Sequence, residues 1–166
     1  MIAVSALVIL HTLEGRNKMI IKLLPEQVVK FWDMLRFAIA ETFMPRGTCT
    51  NEHLRFILAG LLSGKQQCWM AFKLVDDERK FIGFIVTRLG EDQAIGEKTL
   101  FLDSVYAFQS VPDEIMADAQ VVLNKFAAKN NCMHIVSLTE SEKVMHLAQR
   151  NGYKARFYLY KEVTHG

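Results

Sequence analysis

Residues 99–152 constrain the fold more than any other stretch. They read as a strand (99–106), a short loop, a helix (112–129), a second strand (134–138) and a second helix that stops at Asn151-Gly152-Tyr153. The helix after Val111 puts Ile115, Ala119, Val122, Leu123 and Phe126 on one face, with Asp113 and Glu114 in its first turn, where negative charge suits the helix dipole. Residues 132–138 read as a buried strand. Ser141 or Thr139 can cap the last helix, which turns Val144, Leu147 and Ala148 inward and ends at Gly152.

Upstream, residues 20–24 form a short strand, and Pro25 opens a helix at a position where its missing N–H costs nothing. Val28, Trp32, Leu35 and Ile39 recur at helical spacing, with Phe31 and Phe43 beside them. That stripe, Trp32 included, reads as core packing. Pro45-Arg46-Gly47-Thr48 breaks the helix, and Thr50-Asn51 caps the next one. Its apolar face is Leu54, Ile57, Leu58, Leu61 and Leu62, and Gly64 ends it in a left-handed cap. Three strands follow: 68–75, a turn at Asp76-Asp77-Glu78-Arg79, then 81–89, a polar loop over 90–98, and 99–106. Short turns between such runs predict an antiparallel meander. Two helices, a meander, and then helix–strand–helix–strand predict an α/β (α+β) mixed sheet, mostly antiparallel, with helices on both faces. Residues 157–163 close the sheet. No repeat or linker divides the chain, so residues 19–166 read as one domain behind an extension of residues 1–18.

Composition excludes several classes. At 51% hydrophobic and 23% charged, 166 residues make a globular chain with a sizeable core. A net charge of +2 with scattered Lys and Arg argues against a nucleic-acid binder. Cys49, Cys68 and Cys132 are odd in number and unpaired in spacing, which predicts reduced thiols in a cytoplasmic protein, two of them buried. No CxxC, HExxH or His/Cys cluster predicts a metal site. Residues 2–10 form an apolar run of nine. A membrane span needs ~20 residues, and Arg16 and Lys18 follow the run rather than precede it, the wrong order for export. The run is therefore either an added strand or partner-binding arm, or it precedes a natural start at Met19.

The sequences LDSVYAF (102–108), FAAKNNCMHIVSL (126–138) and SEKVMHLAQRNGY (141–153) together resemble the GNAT acetyltransferases, and the order of elements matches over residues 20–163. The resemblance implies the GNAT acyl-CoA N-acyltransferase fold. It makes these segments the strand beside the acetyl group, the pyrophosphate helix, and the strand–helix pair carrying the acid for the departing thiolate.

Two signature positions depart from that family. Its coenzyme loop reads Arg/Gln-x-x-Gly-x-Gly/Ala, with glycines that let backbone N–H groups close on the pyrophosphate. Aligned by the helix ends, the loop falls on Val111, Pro112, Asp113, Glu114, Ile115 and Met116, with no glycine and no arginine. Pro112 removes a donor, and each carboxylate facing a phosphate costs on the order of 4 kcal/mol at 4 Å and an effective dielectric of about 20. The family's tyrosine acid falls on Ala148, which donates no proton. The remaining catalytic candidates are Asp103 as base, Tyr106 as substitute acid, and Glu91, Asp92 and Glu97 in the loop before them; each equally reads as a surface or packing residue.

The expectation is a GNAT-fold protein without a cofactor that serves as a protein-binding or structural module. The alternative is a divergent N-acetyltransferase that takes acetyl-CoA between strands 99–106 and 135–138. Residues 19–41 and 61–70 are similar to GNAT-like proteins of tailed bacteriophages. That similarity implies virion proteins or self-association as partners, with the protein in the host cytoplasm or the particle.

Overall fold

The computed structural model describes residues 19–43, 49–92, 96–139 and 141–156. The arm at 1–18, the helix break at 45–48 and the strand expected at 157–163 lie outside the described residues.

Nine elements follow in chain order: β1 (Ile20–Lys22), α1 (Pro25–Phe43), α2 (Asn51–Leu62), β2 (Gln66–Val75), β3 (Glu78–Asp92), β4 (Glu97–Ala107), α3 (Asp113–Lys129), β5 (His134–Ser137) and α4 (Glu142–Arg150). The strands lie in the order β1-β2-β3-β4-β5. The first three pairings are antiparallel, and β4 with β5 is parallel.

Alternation along β2 divides the core. Cys68, Met70 and Phe72 face α1 and α2, where they meet Val28, Leu35, Ile39 and Leu61 together with Phe84 and Val86 of β3. Trp69 and Ala71 face the other way and join Ile82, Leu100 and Leu102 under Ile115, Ala119, Leu123 and Ala127 of α3. With both faces covered, β2 reads in sequence as a nearly continuous apolar run. A buried chain of polar contacts crosses this second face. Trp69 Nε1 donates to Thr87 Oγ1 (3.0 Å), Thr87 Oγ1 donates to Gln67 Oε1 (3.1 Å), and Gln67 Nε2 donates to the Gly64 carbonyl (3.0 Å).

Local signals explain the boundaries. Thr50 caps α2 with Oγ1 accepting from His53 N (3.2 Å), and His53 Nδ1 accepts from Thr50 N (3.2 Å). Histidine thus closes a box usually closed by Glu or Gln. Gly64 and Gly152 take positive φ after α2 and α4. The β2–β3 turn is tighter than expected: Asp76 and Asp77 both adopt positive φ, a two-residue hairpin that leaves Glu78 and Arg79 paired in β3.

Four expectations are corrected. The two ends of the loop expected over 90–98 are ladder, because Glu91 pairs across from Lys98 and Asp92 from Glu97; residues 93–95 lie outside the described residues. The second strand of the core stretch is half-exposed rather than buried, since β5 is short and takes only β4 as a strand neighbour among the described residues. Val144 points outward at 42% exposure, whereas Leu147 and Ala148 are half-buried; α4 packs lightly on the described sheet. Of the thiols only Cys68 is buried; Cys49 precedes α2, and Cys132, just after α3, packs half-buried at the edge of the second core.

Candidate functional site

β4 pairs with β5 only from Thr99↔His134 to Leu102↔Ser137. It continues along β3 to Ala107, so residues 103–107 have a side with no β5 partner. At the start of that open side the β3–β4 register shifts. Val86 pairs with Ser104 and Thr87 with Leu102, which leaves Asp103 as the extra, bulged residue. Bulges re-aim side chains and increase local twist.

The bulge turns Asp103 into a polar cluster on the α1/α2 face. Arg88 Nε lies 3.1 Å from Asp103 Oδ1 and 3.0 Å from Oδ2, and Gln66 Nε2 lies 3.4 Å from Oδ2. The Arg88 guanidinium sits 4.0 Å over the Phe101 ring. Gln66 is itself buried beside Gly60 of α2, and its Oε1 has no donor. The guanidinium and the amide thus hold the Asp103 carboxylate at the β4 bulge.

Tyr106 is not joined to Asp103. Its ring stacks on Phe84 (6.1 Å, 18°) and meets Phe108 edge-on (4.9 Å), and Phe108 in turn packs on Phe81 (5.2 Å). It belongs to an aromatic row at the α1/α2 core. Glu91, Asp92 and Glu97 stand at the opposite end of the β3–β4 ladder, and six residues of strand put Glu97 roughly 20 Å from Asp103. Glu97 Oε2 contacts His134 Nε2 across β4 and β5 at 3.0 Å. Asp103 and Tyr106 thus stand apart from Glu91, Asp92 and Glu97, which share the far end of the ladder, where Asp92 pairs across from Glu97.

The expected coenzyme loop divides at the helix start. Val111 and Pro112 lie in the connection, while Asp113, Glu114, Ile115 and Met116 form the first turn of α3, with Ile115 in the core. Pro112 is the N-cap residue and offers no side-chain hydrogen bond. Its carbonyl accepts from both Ile115 N and Met116 N (3.1 Å each). Asp113, Met116, Leu147, Arg150 and Asn151 line a cavity of about 240 Å³ between the start of α3 and the end of α4. Ala148 is half-buried on α4 and does not line it. Tyr153 packs toward α3, its hydroxyl accepting from Gln120 Nε2 at 3.4 Å.

Sequence reasoning missed Arg88, Gln66 and Arg150. Arg88 had a signal: Phe84, Val86 and Arg88 alternate onto one face, so a cation at an inward position demanded a partner.

The fold is that of the GNAT acetyltransferases. An acetyltransferase described as predicted, from Clostridium acetobutylicum and solved with acetyl-CoA, superposes with a TM-score of 0.62 at 12% identity, over 87% of this chain and 94% of that one. An aminoglycoside acetyltransferase from an uncultured soil metagenomic sample gives 0.60 at 13% identity, over 88% and 97%. The ribosomal-protein-alanine N-acetyltransferase of Brucella melitensis gives 0.57 at 13% identity, over 89% and 98%. No protein-family model matches the sequence, and no curated protein matches it.

The resemblance to the GNAT acetyltransferases puts the coenzyme A diphosphate at the β4–α3 junction, where the chain presents Pro112, Asp113 and Glu114. Pro112 supplies no N–H, the Ile115 and Met116 N–H groups are taken, and the Asp113 and Glu114 carboxylates stand in the first turn. Among the described residues Arg150 is the cation lining the adjoining cavity, and it shares that cavity with Asp113. Among the described residues no group of His, Cys, Asp and Glu could hold a metal ion, and no helix is long and apolar enough to cross a membrane.

Proposed function

We propose that this chain is a GNAT-fold protein that has given up coenzyme A and acts as a non-catalytic, protein-binding module. One observation carries the reading: α3 opens on Pro112, Asp113 and Glu114, which place negative charge and a missing donor where the fold family holds a diphosphate. Ala148 at the acid position and Asp103 tied to Arg88 support it. In this reading residues 19–166 act as one domain and residues 1–18 as its docking arm. The similarity to bacteriophage GNAT-like proteins makes virion proteins, or a second copy of the chain, the partners. The test is a calorimetric titration with acetyl-CoA, with thermal unfolding beside it. A ligand at a hundred times its Kd adds ~2.7 kcal/mol of stability. The expected result is no heat and no shift at millimolar coenzyme, and micromolar binding overturns the reading.

A second reading, a divergent N-acetyltransferase, is favoured by the open side of β4 over 103–107 and by Arg150 beside the α3 N-terminus. Under it, Arg150 supplies the charge that the loop lacks, and Arg150→Ala removes coenzyme binding that the starting protein possesses.

A further inference from the structure

α1 and α2 leave a groove of about 310 Å³ between them, lined by Trp32 and Arg36 of α1 and by Asn51, Leu54, Arg55 and Leu58 of α2. Its floor is apolar: Trp32, Leu54 and Leu58 are half-buried and rest on the core beneath. Among the described residues that line it, both ionic groups are guanidinium groups and none is a carboxylate. Arg36 has one acidic neighbour, Asp33, at 3.4 Å from Nε, but both side chains stand largely in solvent. Such a pair contributes little and yields readily to a better-placed carboxylate. Arg55 has no ion-pair partner among the described residues. Glu52 is exposed in the first turn of α2 and does not line the groove.

The geometry points to this groove as the docking site for an acidic, amphipathic segment of a partner protein, with an apolar side chain seated against Trp32, Leu54 and Leu58 and carboxylates paired with Arg36 and Arg55. The inference rests on the protein-binding reading and names the surface and partner chemistry it requires. Charge complementarity selects the occupant. A basic or neutral segment leaves Arg55 facing no counter-charge and Arg36 only the solvent-exposed Asp33, whereas carboxylates can take both guanidinium groups in planar, bidentate pairs. The volume accommodates one or two side chains, not a folded domain. Tryptophan and arginine are also the residues in which binding energy concentrates at interfaces. The groove is separate from the α3–α4 cavity, so occupancy of one does not require the other.

The test uses the full chain and two labelled peptides of equal length, one alternating glutamate with leucine and the other lysine with leucine, read by fluorescence anisotropy. The glutamate peptide is expected to bind and to weaken as salt rises, and the lysine peptide is not. The double variant Arg36→Glu with Arg55→Glu, both exposed enough to leave folding intact, is expected to lose glutamate-peptide binding at least tenfold and to gain the lysine peptide. Trp32→Ala weakens binding without reversing the preference. Absence of glutamate-peptide binding, equal binding of both peptides, or binding unchanged in the double variant overturns the inference. Acetyl-CoA binding overturns the non-catalytic reading instead, so the two failures are distinguishable.

Discussion

Arg88 Nε lies 3.0 Å from Asp103 Oδ2, and the pair closes over the bulge at which β4 leaves β5. The two side chains are 43% and 21% exposed, so the interaction is partly screened, although it is hydrogen-bonded on both carboxylate oxygens. Asp103→Ala leaves Gln66 Nε2 and Arg88 Nε without this acceptor. The expected loss of stability is ~1–2 kcal/mol by urea denaturation, between the range for exposed pairs and that for buried ones. A neutral result would mean that the bulge holds without the pair.

Gly83 has no room for a side chain. A Cβ there would collide with the Tyr106 carbonyl oxygen and lie 3.1 Å from the Ala107 Cα, both backbone atoms of the neighbouring strand. Gly83→Ala must therefore separate β3 from β4 just where the open side of β4 lies. A destabilisation of ~1–3 kcal/mol is expected, the range for overpacking, read as a lower denaturation midpoint. Gly64→Ala meets no atom and suffers only from its positive φ, so it separates steric from conformational cost.

Thr50→Ala removes the acceptor for His53 N and opens the reciprocal box at the start of α2. The expected cost is ~1 kcal/mol by thermal or urea unfolding. Because Asn51 and Arg55 also line the groove, the same variant is expected to weaken glutamate-peptide binding by less than the arginine reversals do.

Burial pushes the Cys68 thiol up to about 12 from an ordinary 9.0. The folded chain holds this proton more tightly than the unfolded one. The resulting stability is fully present below about pH 9 and is lost as pH rises toward 12. Cys68→Ala removes this component, so the stability gap between the two proteins should narrow or reverse over that interval. Cys49 and Cys132 are also raised by burial, and the Lys98 ammonium pulls Cys132 back. A thiol reagent at neutral pH is expected to modify those two in the folded protein and Cys68 only after unfolding.

Pro112→Gly with Glu114→Gly restores a backbone donor and removes one carboxylate at the start of α3. If these residues are what excludes the diphosphate, the double variant gains coenzyme A binding that the starting protein lacks, detectable by calorimetry. Unchanged behaviour would place the obstacle elsewhere in the cleft.

The sequence by itself determined the described elements and their order, because periodicity, caps and turn residues act over a few neighbours. Thr50, Gly64, Ser141 and Gly152 mark helix ends through local hydrogen bonds or positive φ, and Ile115, Ala119 and Leu123 mark the inner face of α3 through spacing alone. The departures at Pro112, Asp113, Glu114 and Ala148 were legible for the same reason, since each is a residue type at a fixed place in a local pattern. Tertiary structure alone decided what those elements do to one another. The bulge at Asp103, its pairing with Arg88 and Gln66 and the groove between α1 and α2 all join positions distant in sequence. Pairing register and interhelical spacing come from long-range packing that no local window encodes. That is why Asp103 reads as an available base in the sequence and stands in the folded chain as one half of an ion pair.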